Sequence, residues 1–370
     1  MQRGCLAVLS VLLVGCDAGE INAPLGTVPI SSIQPDAAPA TVSSPASTPD
    51  APPVATAPAA ARHARCGYIG YGEEAGYQTF IANANFFDAI HPDWYALSSD
   101  AVSLTPLRGV NDSRVLQAAR SAGVRVIPLI ASVDDPAPTL TMLATSASRA
   151  AHIQALVKIA RDSSYDGLEI DYEHISGTHR EELTAFYGEL ATALHAVGLE
   201  ASAAVYADPF NLSAYDYAAI AARMDHVHIM AYDFHGVTSH SGPLAPLGWV
   251  KATIALAVST GQGKKFILAL PNYGFTMKSF GTTAACIARC NGSYATTTKE
   301  LETCIFNVED HFEAGRQPNC MTSEGPLYFD DTASFEEKVK AAHDAGLGGV
   351  GYWTLSGEPD GFFAMLKKYY

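Results

Sequence analysis

The chain is 370 residues long, 48% apolar and 16% charged, with a net charge of −15 and no basic run. Its length permits one large domain or two ordinary ones. The acidic balance argues against nucleic acid or an anionic surface as a partner and leaves neutral ligands such as sugars open.

In chain order, Arg3 precedes an apolar stretch from Leu6 to Val14 that is too short to span a bilayer and reads as a secretion signal. The stretch ends in Leu13-Val14-Gly15-Cys16, which resembles the lipobox of bacterial lipoproteins. That resemblance implies residues 1–15 as a signal peptide and a lipid-modified Cys16 as the mature N-terminus; an ordinary signal peptide that contains a Cys is the alternative. Residues 17–64 are rich in Ala, Pro, Ser and Thr and hold no aromatic side chain, so they have little to bury against the entropy of ordering. The segment is expected to be a disordered tether, reaching on the order of 150 Å if extended at about 3.1 Å per residue. The protein is therefore expected to be exported, to sit at the bacterial cell surface or the periplasmic face of a membrane, to touch that membrane through its lipid only, and to act as a monomer.

From Cys66 onward, short apolar runs alternate with amphipathic stretches. Strands are predicted at Cys66 to Tyr71, Asp93 to Leu97, Val124 to Ala131, Gly167 to Tyr172, Glu200 to Tyr206, His226 to Tyr232, Lys265 to Leu270 and Gly348 to Thr354. Helices are predicted between them, among others at Ser113 to Ala122, Arg180 to Ala196, Ala214 to Arg223 and Ser334 to Ala345, with Gly123, Gly198 and Gly346 as helix stops. Eight strand-helix units over residues 65–370 predict an α/β protein, a (β/α)8 TIM barrel with its active site at the C-terminal ends of the strands. A doubly wound open sheet is the alternative, but no G-x-G-x-x-G or P-loop pattern follows any of these strands.

The longest gap, about residues 276–326, follows the seventh strand and holds four of the seven Cys: Cys286, Cys290, Cys304 and Cys320. It is expected to be an insertion that walls one side of a cleft. In an oxidising compartment two disulfides among these four are the simplest account, with three pairings open and Cys66 left over. Zinc is the alternative, although the spacing lacks a paired C-x-x-C.

In the fourth strand Glu169, Asp171 and Glu173 alternate with Leu168, Ile170 and Tyr172, so a period of two sends all three carboxylates to one face. A solvated face is one reading, but it would cost the strand its core; the barrel interior is the other. Three carboxylates crowded there cannot all ionise, so at least one pKa must rise and keep a proton. A metal is a further reading of stacked carboxylates; with no His on this strand, neither metal nor cofactor is expected.

The run DGLEIDYE, Asp166 to Glu173, resembles the D-G-x-D-x-D-x-E signature of glycoside hydrolase family 18, the chitinase family, with Glu169 where most members have Asp. Met230-Ala231-Tyr232-Asp233 is similar to the family's M-x-Y-D, Trp353 to the Trp beneath the sugar, and Gly67-Tyr68 to its first-strand Gly-Tyr. Carried over position by position, the resemblance implies Glu173 as catalytic acid/base and Asp171 as the group that orients and charge-stabilises the substrate's 2-acetamido nitrogen. It implies that Tyr232 holds the acetamido carbonyl, that Asp233 borders the cleavage point, and that Trp353 and Tyr68 contact the sugar. Glu169 falls where the family has a proton partner for Asp171, and its extra methylene puts that exchange in doubt. Tyr71 is a second candidate for the inward residue of the first strand.

The implied reaction is retaining, substrate-assisted hydrolysis of β-1,4-linked N-acetylglucosamine polymers through an oxazolinium, an exception to the two-carboxylate scheme. Chitin and peptidoglycan glycan strands both satisfy it, as do N-glycan cores. The segments His91-Pro92-Asp93-Trp94-Tyr95, Pro271-Asn272-Tyr273-Gly274 and Tyr328-Phe329-Asp330-Asp331 look closest to the branch of spore-cortex and cell-wall N-acetylglucosaminidases. A lectin-like member that binds without cutting is the alternative, and such members usually lose the acid that Glu173 retains.

Overall fold

The computed structural model describes residues 64–70, 72–235, 242–276, 280–290, 295–297, 301–303, 311–313 and 317–370. The expected signal peptide, Cys16, residues 17–63 of the expected tether, Tyr71 and Cys304 lie outside the described residues. Among those described, eight parallel strands close into a barrel: β1 (Arg65–Ile69), β2 (Ala89–Leu97), β3 (Leu129–Ser132), β4 (Gly167–Tyr172), β5 (Glu200–Tyr206), β6 (His226–Met230), β7 (Phe266–Pro271) and β8 (Gly349–Trp353). β1 completes the cylinder by pairing on both sides, Gly67 opposite Tyr352 of β8 and Ile90 of β2. No helix of the described residues is long and apolar enough to cross a membrane.

Local signals explain most of these elements. The helix Ser113–Ala122 starts where the Asp112 side chain accepts the N–H of Arg114, and it ends at Gly123, whose φ of 69° is the left-handed conformation that only glycine adopts cheaply. Thr332–Ala345 ends the same way at Gly346. Three expectations need correction. The helix expected over Ala214 to Arg223 is only Tyr217–Ala221, because the Asp216 side chain caps it by taking the N–H of Ala219. The third strand is interrupted at Ile127 and Pro128, with a short piece at Arg125–Val126, since proline brings no ladder donor. β2 begins at Ala89, four residues before the expected start, and runs through Pro92, which pairs with Ile69.

All six residues of β4 are buried, for two different reasons. Leu168, Ile170 and Tyr172 point out into the layer between barrel and helices, where the Tyr172 ring stacks on Phe186 at 5.9 Å and its hydroxyl meets Nε2 of His152 at 2.6 Å. Glu169 and Asp171 point in. The interior also holds two apolar clusters, with Cys66, Ala89, Ile127 and Ile267 in one and Tyr68, Leu129 and Ala269 in another nearer the mouth.

Beyond β7 an antiparallel sheet is built from Tyr273–Phe275, Phe280–Thr282, Ala295–Thr297, Gln317–Thr322 and Gly325–Phe329, slightly wider than the expected 276–326. A disulfide joins Cys290, after the helix Thr283–Arg289, to Cys320 in the sheet. Cys286 is buried against the same sheet with Sγ 3.5 Å from the Gly281 carbonyl. The backbone N–H of Asn272 donates to the Trp353 carbonyl at 2.7 Å, which ties the start of this sheet to the end of β8.

Candidate active site

The C-terminal ends of β1, β4, β6 and β8 bring Tyr68, Asp171, Glu173, Tyr232, Asp233 and Trp353 to one mouth of the barrel, with Glu169 one step deeper. Tyr232 and Trp353 are half-buried against the Tyr68 cluster, and the Tyr68 and Trp353 rings lie 5.8 Å apart. His174 and Asp233 both have positive φ, 58° and 57°. Such a backbone turn costs a non-glycine residue on the order of 1–2 kcal/mol. His174 lies two residues past the end of β4 and Asp233 three past the end of β6, and the turns there leave Glu173 and Asp233 at the mouth.

Glu173 is half-buried, and Tyr206 at the end of β5 donates to its Oε2 at 2.9 Å. Loss of water around the carboxyl pushes its pKa up to about 7; the Tyr206 hydrogen bond opposes this, and the charges of Asp233 and Asp134 add to it. Asp171 is held far above the usual carboxylate range, first by burial and then by Glu173, Glu169 and Asp93 around it. Its Oδ1 is buried and accepts no hydrogen bond. Asp93 of β2 is pushed up to about 7 by burial alone. The site thus holds several carboxyl protons near neutral pH, and one of them, on Glu173, faces the open mouth as a general acid must.

Asp233 accepts the hydroxyl of Tyr273, the first residue of the antiparallel sheet. Asp233 faces solvent at the mouth, yet the cleft walls strip enough water to lift its pKa, against the pull of that hydrogen bond. The Tyr232 hydroxyl is held protonated by burial and by Asp171, Glu173 and Asp233, so it keeps a proton to donate. The indole of Trp353 presents an apolar ring face beside Tyr68.

A model of glycosyl hydrolases family 18 matches residues 66–358. The chain belongs to that family. Among curated relatives, the sporulation-specific glycosylase YdhD of Bacillus subtilis (strain 168) is 29% identical over 207 residues, 52% of this chain and 47% of that one, so this chain spans about half of its length. Among solved structures, a chitinase from Chromobacterium violaceum ATCC 12472 superposes with a TM-score of 0.69 at 22% identity, covering 83% of this chain and 98% of that one. The Bacillus cereus spore cortex-lytic enzyme SleL superposes with a TM-score of 0.70 at 16% identity, covering 84% and 75%. These two likenesses concern the fold.

Sequence reasoning gave no role to four polar residues of this family 18 site: His91, Asp93, Tyr206 and His228. Tyr206 closes the inward row Ser202, Ala204, Tyr206 of β5, and His228 lies two inward steps before Tyr232 on β6. Counting back in twos from each strand end was the available signal. His91 was hidden because Pro92 reads as a strand boundary. Among the described residues, the one grouping of metal-ligating types is Cys66, His91 and His228, with ligand atoms within 4.8 Å of one another. Nδ1 of His91 lies 2.5 Å from Oε2 of Glu169, and Nδ1 of His228 lies 2.7 Å from the Tyr68 hydroxyl.

Proposed function

We propose that the chain is a retaining glycosidase that cuts β-1,4-linked N-acetylglucosamine polymers with help from the substrate's own acetamido group. The observation that carries this reading is Glu173: a carboxyl lifted to about 7, fixed by Tyr206 and open to the mouth of a family 18 barrel. Glu173 gives its proton to the glycosidic oxygen as the C–O bond breaks, and the acetamido carbonyl oxygen bonds to the anomeric carbon. Tyr232 donates to that carbonyl, and the Asp171 carboxylate accepts the acetamido N–H and stabilises the positive charge that develops on the nitrogen. Water then opens the oxazolinium, returning its proton to Glu173, so the anomeric configuration is retained. Trp353 and Tyr68 hold the sugar over this point, and Asp233 with Tyr273 borders it.

The acetamido chemistry requires N-acetylglucosamine on the non-leaving side of the cut, which chitin and peptidoglycan both supply. Product analysis on chitin oligomers and purified peptidoglycan side by side tests the reading. Cleavage of either after N-acetylglucosamine, with β-configured first product, supports it. Tight oligosaccharide binding without turnover would favour the lectin-like alternative instead.

The motif Leu13-Val14-Gly15-Cys16 supports a further part of the proposal, that Cys16 is acylated and holds the exported domain at a membrane. Several acyl chains, at about 0.8 kcal/mol per buried methylene, anchor such a domain firmly. Labelled fatty acid should enter the wild-type protein and not Cys16→Ala.

A further inference from the structure

A further aspartate reaches the sugar site from β2. On that strand Ala89 joins an interior cluster and His91 meets Glu169, whereas Ile90 and Trp94 belong to the outer core, so alternation turns Asp93 inward. The even-numbered strands share one layer below it: Oε2 of Glu169 on β4 lies 2.5 Å from Nδ1 of His91 and 3.6 Å from Nε2 of His228 on β6, with Gly351 of β8 at the same height. Two residues further along each strand, the next layer is Asp93, Asp171, Met230 and Trp353. Leu129, the β3 partner of Asp93, packs with Tyr68, Tyr232 and Trp353, so Asp93 borders the surface on which the sugar is held.

Asp93 is 7% exposed, and its buried Oδ1 receives no hydrogen bond from any described residue. Asp171, in the same layer, is alike at its own Oδ1. Between them stands Ala131 of β3, which adds only a methyl group. Burying an acceptor without a donor is costly, and on a ligand-facing layer that cost is offset when the ligand brings the donor. The acetamido N–H at C2 of the sugar falls to Asp171. On that pyranose C2 is flanked by C1, which faces Glu173, and by C3, whose equatorial hydroxyl lies beside the acetamido group. We propose that Asp93 accepts the hydrogen bond of this 3-hydroxyl and thereby selects N-acetylglucosamine over a 3-O-substituted sugar on the non-leaving side. This rests on the glycosidase reading above for the placement of the sugar.

N-acetylmuramic acid, the alternate sugar of peptidoglycan, carries the same 2-acetamido group but an ether-linked lactate at O3. That oxygen has no proton to give, and the lactate would bring a second carboxylate against Asp93 in a buried layer. A free hydroxyl suits Asp93 in either protonation state, as donor to the carboxylate or acceptor from the acid, and burial alone pushes that titration up to about 7. Of the other two members of the layer, Met230 is only a weak acceptor and Trp353 presents a ring face. Asp93 thus supplies the polar contact at C3, while Glu173 and Asp171 carry the reaction at C1 and C2. On peptidoglycan the cut falls after N-acetylglucosamine and not after muramic acid.

The test compares two substrates: a fluorogenic chitobioside, and its analogue in which the fluorophore-bearing sugar, the one that must occupy the non-leaving side, is 3-deoxy. Wild-type kcat/KM should be at least about tenfold lower on the analogue, which leaves a buried carboxyl unpaired. Asp93→Ala should lose a similar factor on the parent compound and treat the two alike within about threefold. If Asp93 were purely structural, Asp93→Ala would lower both rates and keep the wild-type ratio; that outcome overturns the proposal, as does a wild-type enzyme that treats both compounds alike. Thermal melts check that each variant folds. If Asp93→Ala does not, Asp93→Asn, of the same shape, carries the test at about pH 8, where its neutral carbonyl replaces an ionised carboxylate. The ratio should then shrink by about threefold or more, and an unchanged ratio overturns the proposal. Calorimetry on the same pair separates this inference from the glycosidase reading. Should the protein cut neither compound, that reading fails, yet at least about tenfold weaker binding of the 3-deoxy analogue still supports the role of Asp93, and equal binding, or none, overturns it. Muramic acid at a new reducing end of peptidoglycan would overturn the role of Asp93 and leave the glycosidase reading in place.

Discussion

Tyr206 and Glu173 are joined across the ends of neighbouring strands by a 2.9 Å hydrogen bond, and the same Tyr206 oxygen accepts the backbone N–H of His174 at 3.0 Å. The acid is thus aimed by a residue fixed to the chain just beyond it. A donor to a carboxylate favours its charged form, so this contact also limits how far burial can lift Glu173.

Tyr206→Phe therefore should raise the Glu173 pKa further and loosen its aim. The descending limb of the kcat profile moves to higher pH while kcat falls by roughly tenfold. A limb that moves to lower pH would contradict the assigned hydrogen bond.

With its acid titrating near 7, the wild-type enzyme should lose activity as pH rises through that value, because Glu173 gives up the proton it must donate. Glu173→Gln should lower kcat by roughly 10³-fold or more and leave the affinity for a chitin tetramer within about threefold. Calorimetry beside single-turnover kinetics separates the two quantities, and a wild-type rate would remove Glu173 from the role of acid.

Asp93 gives a stability test with a definite sign. Its folded pKa of about 7 is above the unfolded value of about 3.9, so the native state binds more protons than the unfolded state between those limits. Stability then falls as pH rises across that window and levels off above it. Asp93→Asn removes the titration and should stabilise the protein at pH 8 relative to pH 5, by about 1.4 kcal/mol for each pH unit between pH 5 and the folded pKa. Urea melts at the two pH values read the difference; an equal effect at both would refute the burial account.

Lys338, in the helix Thr332–Ala345, is 1% exposed and paired with the fully buried Asp330 just after the antiparallel sheet. Lys338→Met leaves Asp330 as a lone buried charge and should cost about 3–5 kcal/mol. The double variant Lys338→Met with Asp330→Leu should recover most of that in chemical denaturation.

Several elements were legible because their causes are local. The helix Ser113–Ala122 was readable from its glycine stop and apolar spacing, and β4 from its alternation. Tyr68, Tyr232, Asp233 and Trp353 were found as strand-end motifs, and the structure brings them together with Asp171 and Glu173. The start of β2 was missed because Pro92 is a boundary signal locally, while pairing with β1 carries the strand through it. The short helix Tyr217–Ala221 was overestimated because a side-chain cap at Asp216 outweighs the apolar spacing before it.

What the sequence determined by itself was that Glu169, Asp171 and Glu173 share one face of a strand, since that follows from a period of two and needs no other part of the chain. Only the closed barrel decided what each carboxylate meets. Tyr68 reaches Glu169 across 101 positions and His228 across 160, and Tyr206 reaches Glu173 across 33. Alternation in one strand sets the direction of a side chain, but its charge depends on the water it loses and the donors it gains, and other strands supply both. That is why the extra length of Glu169 read as a doubt about proton exchange in the sequence, and why its hydrogen bond from Tyr68 became visible only in the folded chain.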